Sequence, residues 1–206
     1  MSNSTALSER LAFIGLDETA KQTLAAARPV IEAALPAALN EFYAQVRRFP
    51  DVARFFGSET HIDGARSAQA RHWSNIASGR FDGTYLESVQ RIGGTHARIG
   101  LEPRWYIGGY ALVLEELVRG IVHQHEARRS RFSRGDGGRA LADTVGAVIK
   151  AALLDMDFVI SIYLETAEKA REAADAKRQE AEREQKIVVE ATGAALGLRL
   201  TRWPVE

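Results

Sequence analysis

The stretch RIGGTHARIG, residues 91–100, places one histidine, His96, among small and apolar residues, and LEPRWYIGGY follows it at residues 101–110. On a helix, His96 and Gly93 fall on or near one face. Gly93 and its neighbour Gly94 each cost a helix about 1 kcal/mol relative to alanine. Glycine beside a histidine on an inner face predicts the close approach of a flat, bulky group such as haem. A core histidine bonded to a backbone carbonyl fits the same pattern, and spacing alone does not separate the two.

The composition narrows the possible chemistry. The 206 residues are 46% hydrophobic, with 27 basic and 27 acidic side chains and no cysteine. The absence of cysteine excludes disulfides, thiolate catalysis, iron–sulfur clusters and covalently attached c-type haem. Balanced charge predicts no nucleic-acid partner. No stretch approaches the roughly 20 apolar residues that cross a bilayer, and the N-terminus does not resemble a signal peptide. We therefore expect a soluble, cytoplasmic protein without membrane insertion.

Apolar spacing predicts helices almost throughout and no strand, hence an all-α fold. Asp17 is expected to cap the first helix, and Pro29 to kink or end it. Pro36 suits the first turn of the next helix, and Pro103 suits the start of a long helix reaching about Arg128.

Turn residues mark the other boundaries. A short turn begins at Pro50, Gly79 ends a helix, and Asp82 or Thr84 caps the next one. Gly100 has the position of a glycine that follows a helix C-terminus. The polar, glycine-rich segment 128–138 predicts a loop.

The last helix is expected to begin near Arg139 and to carry a long apolar stripe, formed by Val145, Val148, Ile149, Ala152, Leu153, Met156, Val159, Ile160 and Tyr163. The stripe is too long for a small core alone and predicts a partner surface. From Glu165 to Glu190 charged residues dominate, which predicts a solvated helix. We interpret it as a coiled-coil linker, with a single exposed helix as the alternative. We therefore expect a folded domain over residues 1–165 and a charged helical linker over residues 166–206.

The other histidines give weaker signals. His61, His123 and His125 are expected at the surface, and the last two point in different directions because they are two residues apart on a helix. His72 precedes Trp73 and faces either a pocket or a polar rim.

The segment RIGGTHARIGLEPRWYIGGY resembles the proximal motif of the sensor globins, the globin-coupled sensors to which protoglobins are related. LNEFYAQVRRFPDVARFF, residues 39–56, resembles the B helix and following corner of that family, and QARHWSNIASGRFDGTYL, residues 69–86, resembles its E helix and the turn after it. The resemblance spans roughly residues 10–165. It implies a globin-like fold whose long C-terminal helix extends into the linker.

The resemblance also implies a site. His96 is the expected axial iron ligand of haem b, Tyr43 the donor of a hydrogen bond to bound oxygen, and Tyr106 a tyrosine near the proximal histidine. The expected porphyrin contacts are Phe42, Phe55, Phe56, Trp73, Ile107 and Ala68. Several family members carry Thr, Ser or Leu on the E helix facing the ligand, and the matching positions here are Ala65 and Ala68. This departure predicts a distal side without a second donor.

The implied function is a haem-based O2 sensor that also takes CO and NO and is not itself an enzyme. It transmits a conformational change through a homodimer of the last two long helices to an absent or truncated output domain, as in aerotaxis. Two alternatives stay open. One is a haem-free globin-fold signalling or dimerisation module, and the other is a stand-alone globin with minor NO-dioxygenase or peroxidase activity.

Overall fold

The computed structural model describes residues 3–128 and 137–200. Those residues form helices and no strand, which confirms the all-α prediction. The helices are α1 (Asn3–Ile14), α2 (Glu18–Arg48), α3 (Pro50–Ala53), α4 (Glu59–Ala77), α5 (Gly83–Ile99), α6 (Pro103–Arg128) and α7 (Gly137–Leu200). Most of the loop predicted over 128–138 lies outside the described residues. No helix in the described ranges combines the length and the apolar character needed to cross a bilayer.

Helix α2 is longer than the sequence indicated. It continues through both Pro29 and Pro36, so an end of the helix at Pro29 and a new helix beginning at Pro36 are both wrong. The alternative of a kink at Pro29 stays a prediction. Each proline removes one backbone hydrogen bond, but the flanking residues Ile31, Leu35 and Leu39, among others, are buried in the core. Burial of this face stabilises the helix and offsets the lost hydrogen bonds. The positions of helix-breaking residues in the sequence do not reveal that stabilisation.

The other predicted helix boundaries are largely confirmed, but the helix that Asp17 caps is the second one, because the unpredicted α1 precedes it. The Asp17 carboxylate accepts from the Ala20 N–H at 2.9 Å and caps α2. The Asp82 carboxylate accepts from the Tyr85 N–H at 3.0 Å and caps α5. Gly79 and Gly100 follow the ends of α4 and α5 with φ of 69° and 71°, a left-handed conformation that favours glycine. These residues fix where α4 ends and where α5 begins and ends, and hence where the histidines near those ends lie.

The chain separates into two compact units, Met1–Tyr163 and Leu164–Glu206, and α7 contributes to both. The core of the first unit draws on all the longer helices. In the second unit, the described side chains are nearly all exposed. They form ion pairs three or four residues apart, such as Lys169 with Glu165 at 2.6 Å and Lys186 with Glu190 at 3.9 Å. Exposed pairs of this kind contribute little to stability.

The apolar stripe of α7 serves mainly the core of its own unit. Val148, Ala152 and Val159 are at most 2% exposed. These positions serve the core, and the use of the rest of the stripe as a partner surface stays a prediction. Ile149 and Leu153 are the exception, with 39% and 46% of their surface exposed.

Helix α5 packs tightly on α7 at Gly93. A Cβ added there would lie 2.7 Å from Cδ1 and 3.2 Å from Cβ of Ile162, whereas one at Gly94 would meet no atom within 4 Å. Gly93 is therefore needed for the contact between the two helices. The close neighbour of Gly93 is thus the Ile162 side chain rather than a flat cofactor, whereas the approach of a cofactor at Gly94 stays a prediction.

This contact gives a matched pair of stability predictions. Gly93→Ala is expected to destabilise the protein by about 1 kcal/mol, because overpacking against the stiff, β-branched Ile162 outweighs the gain in helix propensity. Gly94→Ala is expected to stabilise it by about 1 kcal/mol, because only the propensity changes. Urea unfolding followed by circular dichroism measures both. Equal stability of the two variants would contradict this packing.

Candidate haem pocket

His96 lies near the end of α5 with its imidazole largely buried. Its Nδ1 atom is buried and has no hydrogen-bond partner among the described residues. Burial, and then the nearby charge of His72, lower the pKa of His96 from 6.5 to about 4. The ring is therefore neutral near pH 7 and keeps the free lone pair that a metal ligand needs.

A chain of aromatic rings leads away from His96. Its ring centroid lies 5.2 Å from that of Tyr106, which lies 4.9 Å from that of Tyr110, which in turn lies 5.2 Å from that of Trp73. Tyr106, Tyr110 and Trp73 are all buried. The structure thus brings three of the predicted site residues together, along with Tyr110, which the sequence analysis did not single out.

Tyr43 is the centre of a second aromatic group, on α2. It is buried, and its ring makes edge contacts with Phe42 at 4.9 Å and with Phe56 at 5.9 Å. Burial raises the pKa of Tyr43 to about 12, although the charge of Arg66 lowers it in part. The hydroxyl therefore remains protonated at physiological pH and able to donate a hydrogen bond.

The α4 side chain beside Tyr43 is Arg66. Its Cζ atom lies 5.5 Å from the Tyr43 ring centroid, and its Nε atom is buried without a hydrogen-bond partner among the described residues. Its Nη1 atom lies 3.7 Å from a carboxylate oxygen of Asp63. Ala65 is half-buried and Ala68 exposed. The sequence analysis considered only the two alanines and missed this cation.

The remaining side chains predicted to contact the porphyrin differ in how deeply they are buried. Phe55 and Phe56 are half-buried against the core, whereas Ile107 is 44% exposed. Phe42 packs on α6, where a Cβ added to Gly109 would lie 2.8 Å from its ring. Contact of any of these side chains with a porphyrin stays a prediction.

A buried polar cluster surrounds Asp155 of α7, and the sequence analysis missed it. Nε2 of His72 lies 3.0 Å from both carboxylate oxygens, and the Tyr85 hydroxyl donates to Oδ1 at 2.9 Å. The Tyr110 hydroxyl donates to Oδ2. His72 was expected to face a pocket or a polar rim, and the structure instead buries it against this carboxylate. The signal was available, because Asp155 interrupts the apolar face of α7 and a buried carboxylate requires partners.

Comparisons with solved structures identify the fold. The structure superposes on the globin domain of a Geobacter sulfurreducens globin-coupled sensor with a TM-score of 0.65 at 18% identity, over 76% of this chain and 96% of that one. It also superposes on the ferric globin domain of Escherichia coli DosC with a TM-score of 0.60 at 19% identity, over 75% of this chain and 97% of that one. The fold is thus globin-like.

The family follows from the sequence. The family model described as Protoglobin matches residues 3–169, and the chain belongs to that family. The chain is also 25% identical over 176 residues to the "Heme-based aerotactic transducer HemAT" of Halobacterium salinarum. That alignment covers 82% of this chain and 35% of the transducer, so the chain spans about a third of that relative's length.

Proposed function

We propose that this chain is a haem-based gas-sensor domain in which His96 would hold the iron of haem b. The observation that carries the proposal is the state of His96, a buried and neutral imidazole whose Nδ1 atom has no partner in the described chain. Membership of the protoglobin family and similarity to a transducer described as haem-based support it.

The residues present fit this cofactor. A ligating histidine uses one ring nitrogen for the metal and donates the N–H of the other to an acceptor. Burial keeps His96 deprotonated, which favours ligation, and the aromatic side chains of Tyr106, Phe42 and Phe56 provide the apolar surroundings that exclude water from a haem site. When bound, haem supplies an iron at which O2 binds reversibly.

The role proposed for Tyr43 is to donate a hydrogen bond to the gas ligand. A donor beside a ligand that carries partial negative charge slows its escape, and O2 is more polar than CO when bound. The Tyr43 hydroxyl is suited to this because burial keeps it protonated. The cation of Arg66 beside its ring adds a positive potential on the same side.

The proposal is tested by spectroscopy of the reduced protein. Admitting oxygen is expected to change the haem absorbance bands, and removing it under argon is expected to restore them over several cycles. A protein that binds haem but is oxidised at the first exposure to oxygen, without a reversible step, would contradict O2 sensing. Steady consumption of NO with an electron donor would favour the enzymatic alternative.

A pH dependence follows from the Tyr43 hydroxyl. Its pKa of about 12 means that it remains the donor at any pH well below that value. The O2 dissociation rate is therefore expected to stay flat between about pH 6 and about pH 10. Stopped-flow measurements across that range check this. A rise in the rate toward pH 10 in the wild-type protein, absent in Tyr43→Phe, would show that the hydroxyl ionises earlier.

The signalling step is proposed to use a homodimer formed by α6 and α7. Ile149 and Leu153 are exposed, and Met156 and Ile160 are half-buried, at positions that share one face of α7. Apolar residues at this spacing suit pairing with a second helix. A shift of α7 against its mate would then pass the signal to residues 166–206 and on to an output domain such as that of an aerotaxis transducer.

Analytical ultracentrifugation tests the dimer. We expect the wild-type chain to sediment as a dimer at micromolar concentration, and Leu153→Glu to shift it to a monomer because a buried, unpaired charge is costly. Phe13→Glu, at a side chain 96% exposed on α1, is the matched control and is expected to retain the dimer. A wild-type monomer would contradict this part of the proposal.

A further inference from the structure

Four buried side-chain atoms have no hydrogen-bond partner among the described residues. They are Nε of Arg66, Oε1 of Gln69, and Nδ1 of His72 and of His96. The first three belong to α4 and follow one another at intervals of three residues, so they share one face of that helix. Folded proteins leave few buried polar groups without a partner, and a group of them marks a place where a ligand can supply the hydrogen bonds.

This polar stripe, formed by Arg66, Gln69 and His72, connects the two parts of the candidate pocket. At one end His72 is buried, and its charge contributes to the lowered pKa of His96, after burial. At the other end the Cζ atom of Arg66 lies 5.5 Å from the ring centroid of Tyr43. A helix rises about 1.5 Å per residue, so the two ends are about 9 Å apart along α4. The Arg66 end therefore lies on the side proposed for the gas ligand.

The charge of Arg66 is only partly compensated by its neighbours. Its Nη1 atom lies 3.7 Å from an oxygen of Asp63, whose side chain is 67% exposed and thus screened by water. The pKa of Glu59 is lowered first by its hydrogen bond from Arg47 and less by the Arg66 charge, so Glu59 is already paired with another cation. Because Nε of Arg66 is buried and unpaired, the inner edge of the guanidinium retains a donor for an anion.

Gln69 adds a second polar group one helical turn after Arg66. Its side chain is half-buried, with the Oε1 atom fully buried. The amide can rotate to present either its oxygen or its NH2 group, so it can donate to an acceptor at this position. The stripe thus offers a charged donor and a neutral donor side by side.

We propose that the ligand side of the pocket is also a binding site for small monovalent anions, with Arg66 and Gln69 as the donors. The ligand class comprises anions of the size of azide, nitrite or hydrosulfide, bound at the ferric haem iron. This inference rests on the proposed function, because the anion requires an iron that His96 would hold.

The choice of an anion follows from the cost of burying charge. Moving an anion from water into a buried pocket is costly unless a cation and hydrogen-bond donors compensate it. A charge-assisted hydrogen bond is about twice as strong as a neutral one and strengthens where water is excluded. A neutral ligand such as CO gains far less from the same groups. The ferrous protein is therefore expected to respond to neutral gases and the ferric protein to anions.

Azide titration of the ferric, haem-loaded protein, followed by absorbance, measures the anion affinity. Arg66→Leu is expected to weaken azide binding about 10- to 100-fold, the value of one hydrogen bond to a charged group. Gln69→Leu is expected to weaken it about 2- to 10-fold, the value of one neutral hydrogen bond. CO dissociation from the ferrous protein is the neutral comparison and is expected to change far less in both variants.

The C–O stretching frequency of the CO complex is a second readout that does not depend on affinity. A positive potential beside bound CO lowers this frequency, so Arg66→Leu is expected to raise it. Arg66→Lys is expected to recover part of the azide affinity and part of the frequency shift, because lysine restores the charge but not the planar group of donors.

Arg71→Leu is the matched control, because it removes the same charge from an exposed position on the same helix. It is expected to leave azide affinity and the C–O frequency unchanged. Equal losses of azide affinity in Arg71→Leu and Arg66→Leu would reduce the effect to overall charge and overturn the inference. An unchanged azide affinity in Arg66→Leu would overturn it as well, and so would equal factors for azide and CO.

Asp63→Asn provides a second decision should Arg66→Leu fail to fold. It removes an exposed carboxylate that competes for Arg66 and is expected to tighten azide binding. An affinity that is unchanged or weaker would overturn the inference. Failure of the proposed function looks different, because the wild-type chain would then take up no hemin, and neither azide nor CO would change its spectrum.

Discussion

The His96→Ala variant is expected to purify without a haem absorbance band and to take up no stable haem when hemin is added. Loss of a residue that merely supports a metal ligand costs about 10- to 100-fold in affinity. Loss of the ligand itself is expected to exceed about 100-fold. Hemin titration followed by absorbance near the Soret maximum measures this, and circular dichroism verifies that the helices are retained.

His123→Ala is the matched control for this experiment. His123 is exposed on α6, and its loss is expected to leave haem binding unchanged. In a His96→Gly variant, free imidazole is expected to restore binding, because it fills the space that the side chain leaves. Retention of wild-type haem affinity in His96→Ala would remove this residue from its proposed role.

The Tyr43→Phe variant is expected to retain haem and to release oxygen about 10- to 100-fold faster. The magnitude corresponds to one hydrogen bond to a charged partner, about 1.5–3 kcal/mol. CO dissociation is expected to change far less, because bound CO carries less negative charge. Flash photolysis and stopped-flow mixing with a ligand trap give both rates.

Tyr163→Phe controls for the loss of a tyrosine hydroxyl elsewhere in the same unit. The Tyr163 hydroxyl donates to the backbone oxygen of Leu101 and is expected to affect stability more than ligand release. If Tyr43→Phe and the wild-type protein released oxygen at the same rate, the donor would have to be another group, and Arg66 would be the first candidate.

Local signals in the sequence predicted most helix boundaries well. The caps at Asp17 and Asp82 and the glycines at positions 79 and 100 act through backbone geometry within a few residues, so their effect can be read from the sequence. The helix end predicted at Pro29 was wrong because the lost backbone hydrogen bond is a local effect, whereas the burial that offsets it depends on the whole fold. Packing between distant helices is not encoded in a short window of sequence.

The candidate site also combines features that a local motif reveals with features that only the folded chain shows. The motif around His96 identified the candidate iron ligand, and the resemblance identified Tyr43 as the candidate hydrogen-bond donor. The role of Gly93 could not be inferred, because its neighbour, Ile162, is far away in the sequence. Asp155 was missed for a related reason, although an acid within a buried helix face predicts that partners exist. Its donors come from three other helices, and only the folded chain shows which.

The most direct test of the account is a hemin titration of the purified wild-type chain. We expect a sharp 1:1 end point and, after reduction, a spectrum of five-coordinate ferrous haem with an iron–histidine stretching band. A chain that remains colourless with excess hemin, while circular dichroism shows that its helices are intact, would contradict the central claim.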